Sequence, residues 1–187
     1  MFTTLPNVLT LLRILAVPFF AIAVWYGHNV EACLLFVAAG LTDLMDGYIA
    51  RRFNQWSALG AILDPAADKL LMTTAFVLLA LPRDHFVARI PAWVAILAIS
   101  RDVLISLVAL MDSHHFNPNK FRPSLLGKLT TCMELLAISL ALLFNAIGWR
   151  SWYHHVVPLI YYVVALMVFA SGIHYFSRSA APRSPQP

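Results

Sequence analysis

Six runs of roughly 20 mostly apolar residues, at about 7–26, 30–50, 59–81, 91–111, 126–147 and 153–176, follow one another along the chain with short polar breaks between them. Each run has the length at which a helix crosses the hydrocarbon core of a bilayer. Barrel strands do not fit, since they would show alternating segments of about ten residues. A helix also satisfies its own backbone polar groups, which lipid cannot do. Composition agrees: 60% of the 187 residues are hydrophobic and 12% are charged, against roughly 25% charged in a soluble domain. The expected fold class is an all-α integral membrane protein with six transmembrane helices. One domain is expected over residues 1–178, with a disordered Ser- and Pro-rich tail at 179–187.

The breaks carry the residues that end helices. Gly27-His28-Asn29, Pro82-Arg83-Asp84-His85 and Gly148-Trp149-Arg150 close the odd-numbered runs, and Arg51-Arg52-Phe53-Asn54-Gln55 follows the second. Trp25, Trp93, Trp149 and Trp152 stand near run ends, where interfacial Trp is enriched. Arg51, Arg52, Lys120, Arg122, Lys128, Arg178 and Arg183 fall on one side of the membrane, and Arg83, Arg89 and Arg150 on the other. That bias places both termini in the cytoplasm and suits a bacterial inner membrane. The net charge of +4 is small and scattered, with no basic stripe interleaved with aromatics, so nucleic acid is not a partner. Cys33 and Cys132 lie in apolar runs and read as small buried hydrophobes.

Against this background, Asp43, Asp46, Asp64 and Asp68 stand out. A carboxylate at the bilayer centre costs about 2.5–3.5 kcal/mol on insertion scales, and such residues face cavities and serve function. Asp43, Asp46 and Ala50, at i, i+3 and i+7, share one helical face. Gly60, Asp64 and Asp68, at i, i+4 and i+8, share another. A tight turn through residues 51–57 is expected to bring the two stripes together. Close carboxylates repel one another, and a divalent cation resolves the conflict. With no His or Cys in the set, oxygen donors suit Mg²⁺ or Mn²⁺, metals that also bind phosphate. Gly47, Ala50 and Gly60 leave the facing surface bare, and Arg51 supplies a fork for phosphate oxygens.

Asp43-x2-Asp46-Gly47-x2-Ala50-Arg51-x8-Gly60-x3-Asp64-x3-Asp68 resembles the signature of the CDP-alcohol phosphatidyltransferases at all eight specified positions. Pro6-Asn7-x-Leu9-Thr10-x2-Arg13 is similar to the N-terminal segment of the phosphatidylglycerophosphate and cardiolipin synthases of this fold. The resemblance implies a six-helix enzyme, expected to be a homodimer, that transfers a phosphatidyl group from CDP-diacylglycerol to an alcohol. It implies Asp43, Asp46, Asp64 and Asp68 as metal ligands, with Asp68 also the catalytic general base. It implies Gly47, Ala50, Arg51 and Gly60 as the CDP-diacylglycerol site.

Arg101, Arg122 and Lys128 are the cations available to bind the acceptor. Arg101 lies inside an apolar run, where a charge is costly, and Asp102 beside it is a ready structural partner. Glu134, also inside a run, is expected to face the bundle, as an acceptor contact or a partner for a cation. Phosphatidylglycerophosphate synthases, which use glycerol 3-phosphate, usually carry a second Lys where this chain has Thr130, and Ala-Arg-Glu where it has Ser100-Arg101-Asp102. Both departures resemble the cardiolipin synthases, which use phosphatidylglycerol, so both acceptors stay open. A membrane prenyltransferase would need a second aspartate-rich motif, and Asp84, Asp102, Asp112 and Glu134 are isolated. A cation transporter would leave the Gly, Ala and Arg spacing unexplained. His114-His115 and His154-His155 are adjacent pairs, whose side chains diverge by about 100° on a helix and chelate poorly.

Overall fold

A computed structural model describes residues 5–52, 60–113, 125–148 and 150–180, with backbone but not side chains at some helix ends. The described residues form six helices and no strand: α1 Leu5–Tyr26, α2 Asn29–Arg52, α3 Gly60–Ala80, α4 Ala92–Ser113, α5 Leu125–Ile147 and α6 Arg150–Ala180. Each coincides with one expected run. The last helix reaches Ala180, so residues 179–180, which the Ser- and Pro-rich composition marked as tail, are helical. Residues 181–187 lie outside the described residues.

Two glycines explain where helices stop. Gly27 has φ +79° and Gly148 has φ +72°, in the left-handed region that lets a chain leave a helix without a Cβ clash. At the end of α1 the His28 N–H donates to the Ala23 carbonyl at 2.9 Å and the Gly27 N–H to Val24 at 3.3 Å, a Schellman closure. At the end of α5 the Gly148 N–H reaches the Phe144 carbonyl at 2.9 Å, the simpler left-handed cap.

Helix α1 packs along both α2 and α3, α5 packs on α6 and α2, and α4 on α6 and α3. Fully buried alanines at 32, 75, 98, 137 and 141 let these helices approach closely. Phe20, Phe36, Leu79, Ile138 and Val164 fill the space between them, with Phe20 and Phe36 ring centroids 5.8 Å apart. The outer faces are apolar as well: Leu12, Phe19, Ile22, Leu34, Leu44, Ile96, Leu104, Leu166 and Ile173 are all exposed. Among the described residues, Asn7–Tyr26 and Leu125–Ile147 are long and apolar enough to cross a bilayer, and α6 adds the shorter apolar stretch Val157–Ile173. The expected spans α2, α3 and α4 do not meet that measure. Their Asp, Arg and Lys residues lower the hydropathy of segments whose remaining side chains are apolar.

The helices alternate in direction, and the bundle has two chemically different ends. At one end the connections interlock: the Arg83 guanidinium lies 3.5 Å from the Trp25 ring and donates to the Trp25 carbonyl at 3.1 Å. There Asn145 accepts from the Val87 and Ala88 N–H groups at 2.8 and 2.7 Å and donates to the Ala88 carbonyl at 2.9 Å. The other end, where α1, α3 and α5 begin and α2, α4 and α6 finish, gathers most of the buried ionic groups.

Candidate functional site

The polar end holds two clusters. The first is built on α1, whose buried polar face carries Asn7, Thr10 and Arg13 at helical spacing. The Arg13 side chain is fully buried and its guanidinium meets three carboxylates. Nη1 donates to Asp43 at 2.6 Å and to Asp68 at 2.8 Å, and Nη2 donates to Asp46 at 2.5 Å. The Thr10 hydroxyl donates to Asp64. All four aspartates singled out by their spacing are thus gathered on α1.

Residues 53–57 of the turn expected to bring the two stripes together lie outside the described residues. Helices α2 and α3 make few contacts with each other, and α1 lies against both. Arg13 and Thr10 are the joint, and their part was not foreseen. The signal was present: an arginine inside an apolar run is costly and needs an anionic partner.

Among the described residues the cluster holds four carboxylates and one guanidinium, which donates to three of them, while Asp64 accepts from Thr10 and Asp46 has a further interaction. The side chains of Asp43 and Asp68 are 39% and 46% exposed, so their oxygens open outward, while Asp46 is 5% exposed. Among the described residues no three carboxylate, imidazole or thiol groups converge tightly enough to hold one ion, and Arg13 stands among the acids instead. The donor chemistry nevertheless fits a hard divalent cation: oxygen ligands only, four carboxylates and open outer faces. Gly60 opens α3 and is buried. Gly47, Ala50 and Arg51 lie in the last turns of α2, on the same element as Asp43 and Asp46, with side chains outside the described set.

The second cluster lies between α4, α5 and α6. Arg101 is 8% exposed. It donates to Asp102 at 2.7 Å, to the Ser171 hydroxyl at 3.0 Å and to the Gly127 carbonyl at 3.4 Å. The structural pairing with Asp102 is therefore realised. Gly127, Thr130 and Glu134 share one face of α5 at i, i+3 and i+7. Thr130, where a second lysine would extend the cationic site, is fully buried and donates to the Leu126 carbonyl at 2.8 Å and to Met167 of α6 at 3.3 Å. Glu134 is fully buried within electrostatic reach of Asp102 and Arg101, yet neither carboxylate oxygen has a hydrogen-bond partner. Lys128 is exposed at the start of α5, away from the buried face, and Arg122 lies outside the described residues. The two cysteines depart from expectation: Cys132 is exposed and Cys33 half-buried.

Adjacent residues of α3 connect the clusters. Asp68 faces Arg13, while Lys69 turns to α4, donating to the Asp102 carbonyl at 3.2 Å and to the Ser106 hydroxyl. Lys69, Thr73, Asp102 and Ser106 line an open groove of about 260 Å³ with Ile99 and Val103. Lys69 was not singled out in the sequence, because a lysine after an aspartate reads as an ordinary charge pair.

Residues 3–172 match the family model described as CDP-alcohol phosphatidyltransferase. The chain is 32% identical to the CDP-diacylglycerol–glycerol-3-phosphate 3-phosphatidyltransferase of Wigglesworthia glossinidia brevipalpis, covering 92% of each protein. It is 30% identical to the enzyme of that name from Escherichia coli (strain K12), covering 95% of each. It is also 35% identical to a cardiolipin synthase (CMP-forming)/mitochondrial hydrolase fusion protein of Schizosaccharomyces pombe, over 92% of this chain but only 30% of that longer protein.

Proposed function

We infer that this chain, which belongs to the CDP-alcohol phosphatidyltransferase family, is an enzyme that moves the phosphatidyl group of CDP-diacylglycerol to a glycerol-type acceptor and releases CMP. One observation carries the reading into this chain's own residues: four aspartates from two helices, at the family's spacing, gather on the polar face of α1.

The roles follow from chemistry and position. Asp43, Asp46, Asp64 and Asp68 are the residues that would hold Mg²⁺ or Mn²⁺, whose contribution when bound is to neutralise charge on the phosphates. Asp68, half-exposed at the outer edge of the cluster, takes the proton of the acceptor hydroxyl. The acceptor oxygen then forms a bond to the phosphorus bearing diacylglycerol, the bond from that phosphorus to the CMP oxygen breaks, and CMP departs with the electron pair. Gly47, Ala50, Arg51 and Gly60 shape the nucleotide side. Arg101, with the exposed Lys128, receives the acceptor's phosphate, and Arg122 is assigned to the same task from the sequence alone. Lys69 stands between the two sides on α3.

For the acceptor we propose glycerol 3-phosphate, supported by the full-length relatives bearing that activity in their names. Phosphatidylglycerol is the second reading. It is favoured by Thr130, which contributes no cation, and by the likeness to a cardiolipin synthase. All six helices span the membrane in this reading, with both termini cytoplasmic, supported by the apolar outer faces and the bias of Lys and Arg. The proposed assembly is a homodimer, on family likeness.

The test is CMP release by the purified protein with CDP-diacylglycerol and Mn²⁺ or Mg²⁺, run in parallel with glycerol 3-phosphate and with phosphatidylglycerol. Release with glycerol 3-phosphate alone supports the first acceptor, and release with phosphatidylglycerol alone supports the second. No release with either, under both metals, overturns the glycerol-type assignment.

A further inference from the structure

Arg13 occupies a place for which the proposed function supplies a competitor. Its buried guanidinium donates to Asp43, Asp46 and Asp68, three of the four carboxylates that would hold divalent ions. The same oxygen electron pairs cannot serve both cations fully. The Arg13 Nε is also buried and has no hydrogen-bond partner. It is a buried donor without an acceptor beside three carboxylates.

We propose that Arg13 is an exchangeable counter-cation. It holds the aspartates together when no metal is bound, yields their oxygens when divalent ions enter, and then turns its freed fork to the phosphate of the nucleotide. The proposal rests on the reading of this cluster as a divalent-cation site. Three physical points support it. Without a cation the acids would repel one another, and Arg13 keeps helices α2 and α3 in register before substrate arrives. Its side chain is shielded on all sides, so a displaced guanidinium stays in the site and needs a new anion. A phosphate presents the planar pair of oxygens that a guanidinium fork matches. No bond to Arg13 forms or breaks, and the exchange is one of hydrogen bonds.

Opposite shifts in two equilibria distinguish this role from a merely structural one. Mn²⁺ binding is followed by electron paramagnetic resonance on wild type, Arg13→Gln and Arg13→Lys in detergent. Arg13→Gln removes the competitor, so its Mn²⁺ affinity should rise about tenfold or more. Binding of CMP to each protein saturated with Mn²⁺ is then measured by calorimetry. There Arg13→Gln should lose roughly tenfold, the worth of a charge-assisted hydrogen bond, and Arg13→Lys should recover part of it. If Arg13→Gln does not fold, Arg13→Lys carries the test. Its ammonium cannot span the three carboxylates, so tighter Mn²⁺ and weaker CMP binding than wild type are expected. Weaker Mn²⁺ binding in either variant, or unchanged CMP affinity, overturns the exchange. Wild type and variants alike failing to bind Mn²⁺ would overturn the metal reading and the exchange with it.

Discussion

Replacing Asn145 by Ala should cost the protein much of its stability and none of its chemistry. Asn145 is 5% exposed and makes three hydrogen bonds to the α3–α4 connection. Its loss leaves the Val87 N–H, which is only half-buried, and both polar groups of Ala88, which is fully buried. A lost bond at the accessible group costs about 1 kcal/mol, and each buried group left without a partner about 1–2 kcal/mol. The total is roughly 3–5 kcal/mol, enough to lower the unfolding midpoint by about 6–20 °C in a chain of this size. The assay is thermal unfolding in detergent, paired with CMP release per folded molecule well below the lowered midpoint. Asn145 sits at the opposite end of the bundle from the aspartates, so that specific activity should match wild type. A variant with an unchanged midpoint would refute the hydrogen-bond accounting. One with a normal midpoint and lost activity would refute the separation of the two ends.

Glu134→Met removes two buried oxygens that have no hydrogen-bond partner, while Arg101 keeps its bonds to Asp102, Ser171 and Gly127. Chemical denaturation should show a gain of about 1–3 kcal/mol, and a loss instead would mean that the carboxylate is paired. Gly27→Ala should destabilise by about 1–2 kcal/mol, because φ +79° strains an L-residue and the new Cβ would stand 3.2 Å from the His85 ring. A midpoint within 1 °C of wild type would remove Gly27 as the device that ends α1.

The helices were legible because apolar length and Gly or Pro punctuation act locally. The end of α1 at Tyr26 follows from Gly27, and that of α5 at Ile147 from Gly148. The aspartate stripes were legible for the same reason, since i+3 and i+4 spacings fix a helical face without knowledge of any other helix. What joins those stripes was not. Arg13 is separated from Asp43 by 30 residues and from Asp68 by 55, and no local rule sets which helix lies between α2 and α3. Arg101 was ambiguous in the sequence between acceptor contact and ion pair. Its bond to Asp102 is the local pair the sequence offered, while its bond to Ser171, 70 residues away, was beyond any local rule. Thr130 stood out as an absent cation. Its bond to the Met167 carbonyl adds that the position faces α6 rather than an open site.

The measurement that tests the central claim most directly is mass-spectrometric detection of phosphatidyl transfer in liposomes by wild type and Asp68→Asn, with CDP-diacylglycerol, Mn²⁺ and each acceptor. Wild type should form the new phospholipid and CMP in equal amounts. Asp68→Asn, equally folded by its unfolding midpoint, should be slower by about 10²–10⁴-fold, the usual contribution of a general base. Product formation by Asp68→Asn at the wild-type rate would contradict the assignment of Asp68, and no new phospholipid from wild type with either acceptor would contradict the proposed reaction.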